Sequence, residues 1–313
     1  MSRLVVVSNR VPNPRATQPQ AGGLSVALAD ALSRDGGLWF GWDGQLSQTP
    51  VSRPRIQHHE GIDYATLPLC KADYDDFYLG YANAVIWPVF HFNLGAMDYE
   101  RRFSEAYARV NALFADALMP LLEPDDIVWV HDYHLMPLAR ELRDRGLRTR
   151  IGFFLHIPFP DYDVLRAMPG HRQLLEDLCR FDLLGFQTDN DRHAFEESAT
   201  RAIGALVRAP GALRHRHRNL RTGVYPVGVD VDGLATLAER SLAAPRVHRL
   251  IDGLGERDLM IGVDRLDYSK GLEQRFRAFE ALLADYPHRR GHTVLMQIAS
   301  PSRSSISEYA DLR

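Results

Sequence analysis

The 313 residues carry 37 Lys and Arg against 40 Asp and Glu, a formal net charge of −3, and 45% are hydrophobic. That balance is typical of an ordinary globular chain and argues against a nucleic-acid or membrane-surface binder. Two cysteines, Cys70 and Cys179, lie far apart without the spacing of a zinc site or a disulfide framework. The apolar run at the N-terminus is too short for a signal peptide and no stretch reaches the length of a membrane span, so a cytoplasmic protein is expected.

Short apolar runs at residues 4–7, 38–42, 127–130, 151–155, 183–186, 224–227, 259–263 and 294–298 read as strands. Most are apolar on consecutive positions, as strands covered on both faces are. Helical patterns lie between them. Phe103, Tyr107, Val110, Phe114, Leu118 and Leu121 recur at spacings of three and four, as do Leu272, Phe276, Phe279 and the pair Leu282 and Leu283. Strand, helix, strand repeated predicts an α/β fold with parallel sheets. A boundary after "VYPVGVDVD" divides it into a first domain at 1–235 and a second at 240–313.

In such sheets ligands sit beyond the carboxyl ends of the strands, so the residues just past each apolar run matter most. Arg10 follows the first run, and a Pro-containing loop then leads to Gly22 and Gly23 at a helix entry, where backbone N–H groups can meet an anion. The glycine pattern of a dinucleotide fold is absent, which disfavours a dehydrogenase. Asp132 follows the 127–130 run, placed either to meet a ligand hydroxyl or cation or to cap a helix. His131 and His134 make only a weak metal signal, lacking a third ligand nearby. His156 ends the 151–155 run before two prolines that stiffen the turn, and so is either a donor aimed into a cleft or a structural histidine. Tyr78 and Trp87 are either sugar platforms or core. Arg265 and Lys270 flank the turn in "VDRLDYSKGL", suited to a phosphate or diphosphate, or else to a solvated surface. Arg303 stands in a serine-rich loop suited to another phosphate. The run "RHRHR" at 214–218 reads as a solvated loop, and His58 and His59 carry no role.

The segments "VVVSNRVP", "AGGLSVAL", "LWFGWDG", "ANAVIWPVFH", "WVHDYHLMPL", "GFFLHIPFP", "DLLGFQTDNDRHAF" and "VDRLDYSKGL", in this order, resemble the trehalose-6-phosphate synthases of glycosyltransferase family 20. The resemblance spans almost the whole chain. It implies a GT-B fold of two Rossmann-like doubly wound domains, the second incomplete here. It implies a retaining hexosyltransferase that moves glucose from UDP-glucose to glucose 6-phosphate, without metal or other cofactor, as part of trehalose biosynthesis. Arg10, Tyr78, Trp87, Asp132 and Arg303 would contact glucose 6-phosphate. Gly23, Asp132, His156, Arg265 and Lys270 would contact UDP-glucose, with Asp132, His156, Arg265 and Lys270 at the reaction centre. Partners beyond the two substrates are not implied, and a homo-oligomer is left open. A related synthase with another acceptor, such as glycerol 3-phosphate, and a non-catalytic sugar-phosphate binder are the alternatives. Family members continue past the position of Arg313 with a segment whose carboxylates hold the donor sugar and ribose. If the protein ends at Arg313, the expectation is weak or absent turnover and exposed apolar surface near 295–298.

Overall fold

The computed structural model describes residues 2–15, 28, 31–32 and 36–300. The chain forms two compact units, Met1–Val227 and Gly228–Arg313. It leaves the first at Val227, whose N–H donates to Gln187 Oε1 at 3.0 Å.

The first unit is built on a ten-stranded sheet of order β3-β4-β2-β1-β5-β6-β7-β10-β9-β8. The strands are β1 (Leu4–Arg10), β2 (Gly37–Ser47), β3 (Arg55–His59), β4 (Ile62–Cys70), β5 (Ile127–His131), β6 (Arg150–Phe154), β7 (Leu183–Phe186), β8 (Leu206–Ala209), β9 (Ala212–His215) and β10 (Arg218–Val224). The seven central strands pair in parallel, and β3, β8 and β9 add antiparallel edges. Val5, Val6 and Val7 are wholly buried, which explains the unbroken apolar run: side chains on both faces of β1 leave water, each contributing about 1.5–3 kcal/mol. From β1 the chain builds β2 and β4 on one side and β5, β6 and β7 on the other. The order thus reverses between β1 and β5, and such a switch point opens a crevice at the strands' carboxyl ends.

Helices pack on this sheet. Lys71–Asp73, Tyr74–Ile86 and Trp87–Phe90 run as one helix, α1, whose middle part is π-helical. α2 (Arg101–Leu118) buries Phe103, Tyr107, Val110, Phe114 and Leu118, the predicted stripe apart from Leu121, which is half-buried in the 3₁₀ turn after the helix. Phe114 meets Phe40 of β2 edge-on at 5.5 Å. α3 (Leu138–Asp144), α4 (His171–Leu178) and α5 (Asp189–Ile203) follow, α5 capped by Thr188 Oγ1, which accepts from Asp191 N.

Two readings need correction. The strand expected at 224–227 is displaced: β10 runs earlier and ends at Val224, and Tyr225 to Val227 are coil. The basic run 214–218 is not an extended loop but a tight hairpin, with His215 paired to Arg218 and Arg216 at φ 52°. Arg214 is exposed as expected, but Arg216 pairs with Glu176 at 2.9 Å and the half-buried Arg218 with Asp182 at 3.0 Å, so the run is tied to its neighbours rather than wholly solvated.

On α4, Asp177 is buried, accepting from Arg140 Nε at 2.7 Å and Gln173 Nε2 at 2.8 Å. Burial, only partly offset by Arg140 and Gln173, pushes its carboxyl up to about 6. The folded chain then holds a proton that the unfolded chain has released, so this group's stabilisation is present at low pH and lost as pH rises through about 6. Asp177→Asn should flatten the stability profile between about pH 4 and 6, by about 1–3 kcal/mol across that window. Urea titrations at several pH values check this.

The second unit contains α6 (Val231–Leu242), α7 (Pro245–Leu254), β11 (Asp258–Arg265), α8 (Leu272–Asp285) and β12 (Thr293–Ser300). β11 and β12 pair in parallel from Asp258 with Thr293 to Arg265 with Ser300. Met260, Ile261, Val263 and Ile298 are exposed, whereas Leu295 and Met296 are half-buried. The expected exposed apolar surface is thus present at Ile298 but not at Leu295 and Met296, and it extends over β11 and over Val231, Leu234, Leu237 and Leu242 of α6. Gly23 and Arg303 lie outside the described residues.

Candidate active site

The first unit's cluster grows from the switch point. Arg10 is the last residue of β1 and is exposed. Its guanidinium carbon lies 5.7 Å from the centre of the Trp42 ring, and the two residues are paired across β1 and β2. Gly44, at φ 85°, lets the guanidinium lie close: a Cβ there would stand 2.8 Å from Nη2. A cation over an indole face is attracted by the ring quadrupole, which restrains Arg10 while leaving its N–H fork available.

Trp42 leads to the aromatic face of α1. Tyr74 and Tyr78 stack at 5.3 Å, Trp42 lies 5.6 and 5.8 Å from them, and the Tyr78 ring stacks on His134 at 5.6 Å and 11°. The buried Asn83 donates to Tyr78 O at 2.5 Å and accepts from Tyr133 Oη at 2.9 Å. This i to i+5 bond accompanies the π-helical stretch, a form found mostly where function demands it. Trp87 is nearly buried (4% exposed), its ring 5.6 Å from Tyr133 and 4.0 Å from His91. Of the two expected aromatic contacts, Tyr78 is the more accessible.

Asp132, directly after β5, has φ 74° and ψ 167°. That region is essentially reserved for glycine and costs about 1–3 kcal/mol for other residues. The neighbours impose it. Tyr107 Oη donates to Tyr133 O at 2.5 Å, Asn111 Nδ2 to His134 O at 3.1 Å, and Asp132 N to Phe154 O at 2.9 Å. Asp132 makes no helix-capping bond with its side chain; instead Oδ1 accepts from His156 N at 3.3 Å. The capping alternative is set aside, and the carboxylate is held beside His156.

His156 Nε2 lies 3.1 Å from His131 Nδ1. Burial lowers the affinity of both rings for a proton: that of His131 falls well below the usual histidine range, with His156 adding to the effect, and Asp132 partly opposes it at His156. Both also line a cavity of about 640 Å³ whose other walls, among them Trp129, Phe154 and Tyr225, are chiefly apolar. His131 thus faces His156 and His134 faces Tyr78, so the two histidines do not converge. No group of three His, Cys, Asp or Glu that could hold a metal occurs among the described residues.

The structure therefore links Arg10, Tyr78, Trp87, Asp132 and His156 through ring and hydrogen-bond contacts within one unit. In the second unit it brings Arg265 and Lys270 to one turn. Arg265 Nη2 lies 3.7 Å from Oδ2 of the buried Asp267. Asp267 Oδ1 accepts from Ser269 N and Oγ at 3.0 and 2.9 Å, and its carbonyl accepts from Lys270 N at 3.0 Å. Gly271, at φ 62°, then opens α8. Arg265 and Lys270 are both exposed, two cations beside a helix N-terminus, which favours an anion. Trp42, Tyr74 and Asn83 escaped the sequence reading, and His131 entered it only as a weak metal signal rather than as the partner of His156. Trp42 carried a signal, being the last residue of the apolar run 38–42; Asn83 carried none.

Residues 2–313 match the sequence profile of the family described as "Glycosyltransferase family 20". The chain belongs to that family. The trehalose-6-phosphate synthase of Citrobacter koseri is 46% identical over 313 residues, covering 100% of this chain and 66% of the relative. The chain thus spans just under two thirds of that relative's length. Among solved structures, an alpha,alpha-trehalose-phosphate synthase (UDP-forming) from Burkholderia vietnamiensis matches with a TM-score of 0.96 and 45% identity, covering 100% of this chain and 67% of that one. A synthase from Burkholderia xenovorans in complex with glucose-6-phosphate matches with a TM-score of 0.93 and 45% identity, covering 100% and 69%. The α/β fold, of the GT-B glycosyltransferase type, is that of these family members. Among the described residues no helix is long and apolar enough to cross a membrane.

Proposed function

We propose that this chain carries the acceptor side and part of the donor side of a retaining glucosyltransferase, moving glucose from UDP-glucose to glucose 6-phosphate to give trehalose 6-phosphate and UDP. The observation that carries this reading is the cluster at the switch point, where a solvated arginine, a tyrosine face, a carboxylate and an imidazole meet at the ends of β1, β5 and β6. The naming of the relatives as UDP-forming trehalose-phosphate synthases supports it.

In this reading Arg10 grips the acceptor phosphate and Tyr78, backed by Trp87, lies against its sugar. Asp132 accepts from hydroxyls of both sugars, and His156 contacts the donor. Gly23 belongs to the donor side and Arg303 to the acceptor phosphate. The bond from the glucosyl carbon to the leaving phosphate oxygen breaks as the acceptor's anomeric oxygen bonds to the same face. The acceptor's hydroxyl proton passes to the departing phosphate. Arg265 and Lys270 neutralise the charge that develops on that diphosphate, a preorganised electrostatic contribution of the kind that usually dominates. The developing cationic sugar needs a nearby anion and no positive charge, so a carboxylate at 132 and neutral imidazoles beside it suit the step.

UDP release with both substrates present tests this, together with the configuration of the new bond by NMR. Release, however slow, that requires glucose 6-phosphate, yields an α,α-linked product and vanishes in Asp132→Ala supports the reading; release unaffected by that change refutes it. Calorimetry with each ligand alone separates the alternatives. Glucose 6-phosphate should bind with an affinity that falls as salt rises, because exposed phosphate–guanidinium attraction is screened. Acceptor binding without any donor affinity would mark a binding module, and preference for glycerol 3-phosphate a different synthase.

A further inference from the structure

We propose that His131 is a positioning residue that fixes the tautomer of His156, so that His156 carries its proton on Nδ1 and offers the cleft an N–H donor. The inference rests on the reading of the cleft given above and deepens it. His131 Nδ1 and His156 Nε2 stand 3.1 Å apart. Between two neutral imidazoles at that distance one nitrogen donates and the other accepts, and the choice dictates where both rings hold their protons.

The far side of His131 makes the choice. Its Nε2 is buried and has no hydrogen-bond partner among the described residues. A proton there would be an orphaned buried donor, which folded proteins rarely contain, whereas a bare acceptor nitrogen is tolerated more often. A positively charged His131 would carry the same orphaned N–H in addition to a buried charge. His131 therefore holds its proton on Nδ1 and donates to His156 Nε2. With that nitrogen accepting, the proton of His156 sits on Nδ1, the reverse of the form that free histidine prefers.

The rings are also held in place. Trp129 lies 4.2 Å from the His131 ring and Phe154 lies 4.6 Å, edge-on, from that of His156. The backbone of His156 is tied to the Asp132 carboxylate. In this low-dielectric setting the shared hydrogen bond is stronger than it would be in water. The consequence is specific: the ring of His156 presents a donor, matched to a hydroxyl or phosphate oxygen, and rejects a ligand group that can only donate.

The test is the 15N-histidine-labelled 313-residue chain, observed by two-bond proton–nitrogen correlation near neutral pH, with His156→Gln used to assign its signals. Expected are a protonated Nδ1 and a bare Nε2 on both rings. His131→Phe removes the donor and should move His156 toward the Nε2-protonated form. His131→Asn, whose amide N–H falls near the place of Nδ1, should keep the Nδ1 form. A wild-type His156 protonated on Nε2 overturns the proposal, as does a tautomer unchanged in His131→Phe. Should that variant not fold, the wild-type and His131→Asn patterns still decide. No ligand is needed for this readout. A failed tautomer prediction therefore leaves the reading of the cleft standing, and a failure to bind sugar phosphate leaves the tautomer result standing.

Discussion

Asp132→Gly is expected to be more stable than Asp132→Ala by about 1 kcal/mol in urea denaturation, and both variants should lose measurable affinity for glucose 6-phosphate. At an ordinary position after a strand the order would be the reverse, since glycine costs roughly 0.5–1 kcal/mol relative to alanine through the freedom of the unfolded chain. Here the backbone sits at φ 74° and ψ 167°, where a Cβ costs about 1–3 kcal/mol and glycine nothing. Tyr107, Asn111 and Phe154 hold the flanking peptides and would hold them equally in either variant. Both changes remove the carboxylate that accepts from His156 N, so the comparison isolates the strain. An alanine variant more stable than the glycine one would show that the conformation is not strained. The functional half of the prediction follows from the same geometry: the strain sets a carboxylate beside the His156 ring, where either substitution leaves a ligand hydroxyl without an acceptor.

Arg10→Ala should weaken glucose 6-phosphate binding about 10- to 100-fold while leaving circular dichroism and urea stability near those of the parent. A charge-assisted hydrogen bond contributes roughly 1.5–3 kcal/mol, and about 1.4 kcal/mol is tenfold in affinity. The side chain is exposed, and among the described residues it meets the Trp42 face and the space above Gly44, so no buried packing is removed. Arg10→Lys should recover only part of the affinity, because a point charge cannot fork onto two phosphate oxygens. Gly44→Ala should mimic the loss, since its methyl would meet the guanidinium and strain a backbone at φ 85°. An Arg10→Ala affinity within about twofold of the parent would place the phosphate elsewhere.

The elements that were legible are those whose burial is written in consecutive apolar residues or in a helical stripe, as in β1, β5 and α2. The strands that were missed, β3, β4, β8 and β9, lie at or toward the edges of the sheet. Polar Asp63 and Thr66, on opposite faces, interrupt the apolar run of β4, and charged residues fill the β9–β10 hairpin near the sheet's edge. The helix α1 was not read because Tyr74–Ile86 is apolar on several sides and follows no 3.6-residue period. Its π-helical form accompanies the bonds that Asn83 makes to Tyr78 and Tyr133, and nothing in the local sequence announces them.

The residues to inspect were determined by the sequence alone, since parallel strands must be apolar where they are covered and so advertise where they end. Arg10, Asp132, His156 and Arg265 all follow from that rule. Which of those ends are neighbours was decided only by the tertiary structure. Strands pair through backbone hydrogen bonds that carry no side-chain signature, so the adjacency of β1 with β5, and of β5 with β6, could not be read from composition or spacing. The strain at Asp132, the cushion of Trp42 beneath Arg10 and the bond between His131 and His156 depend on that pairing, because each joins groups far apart along the chain.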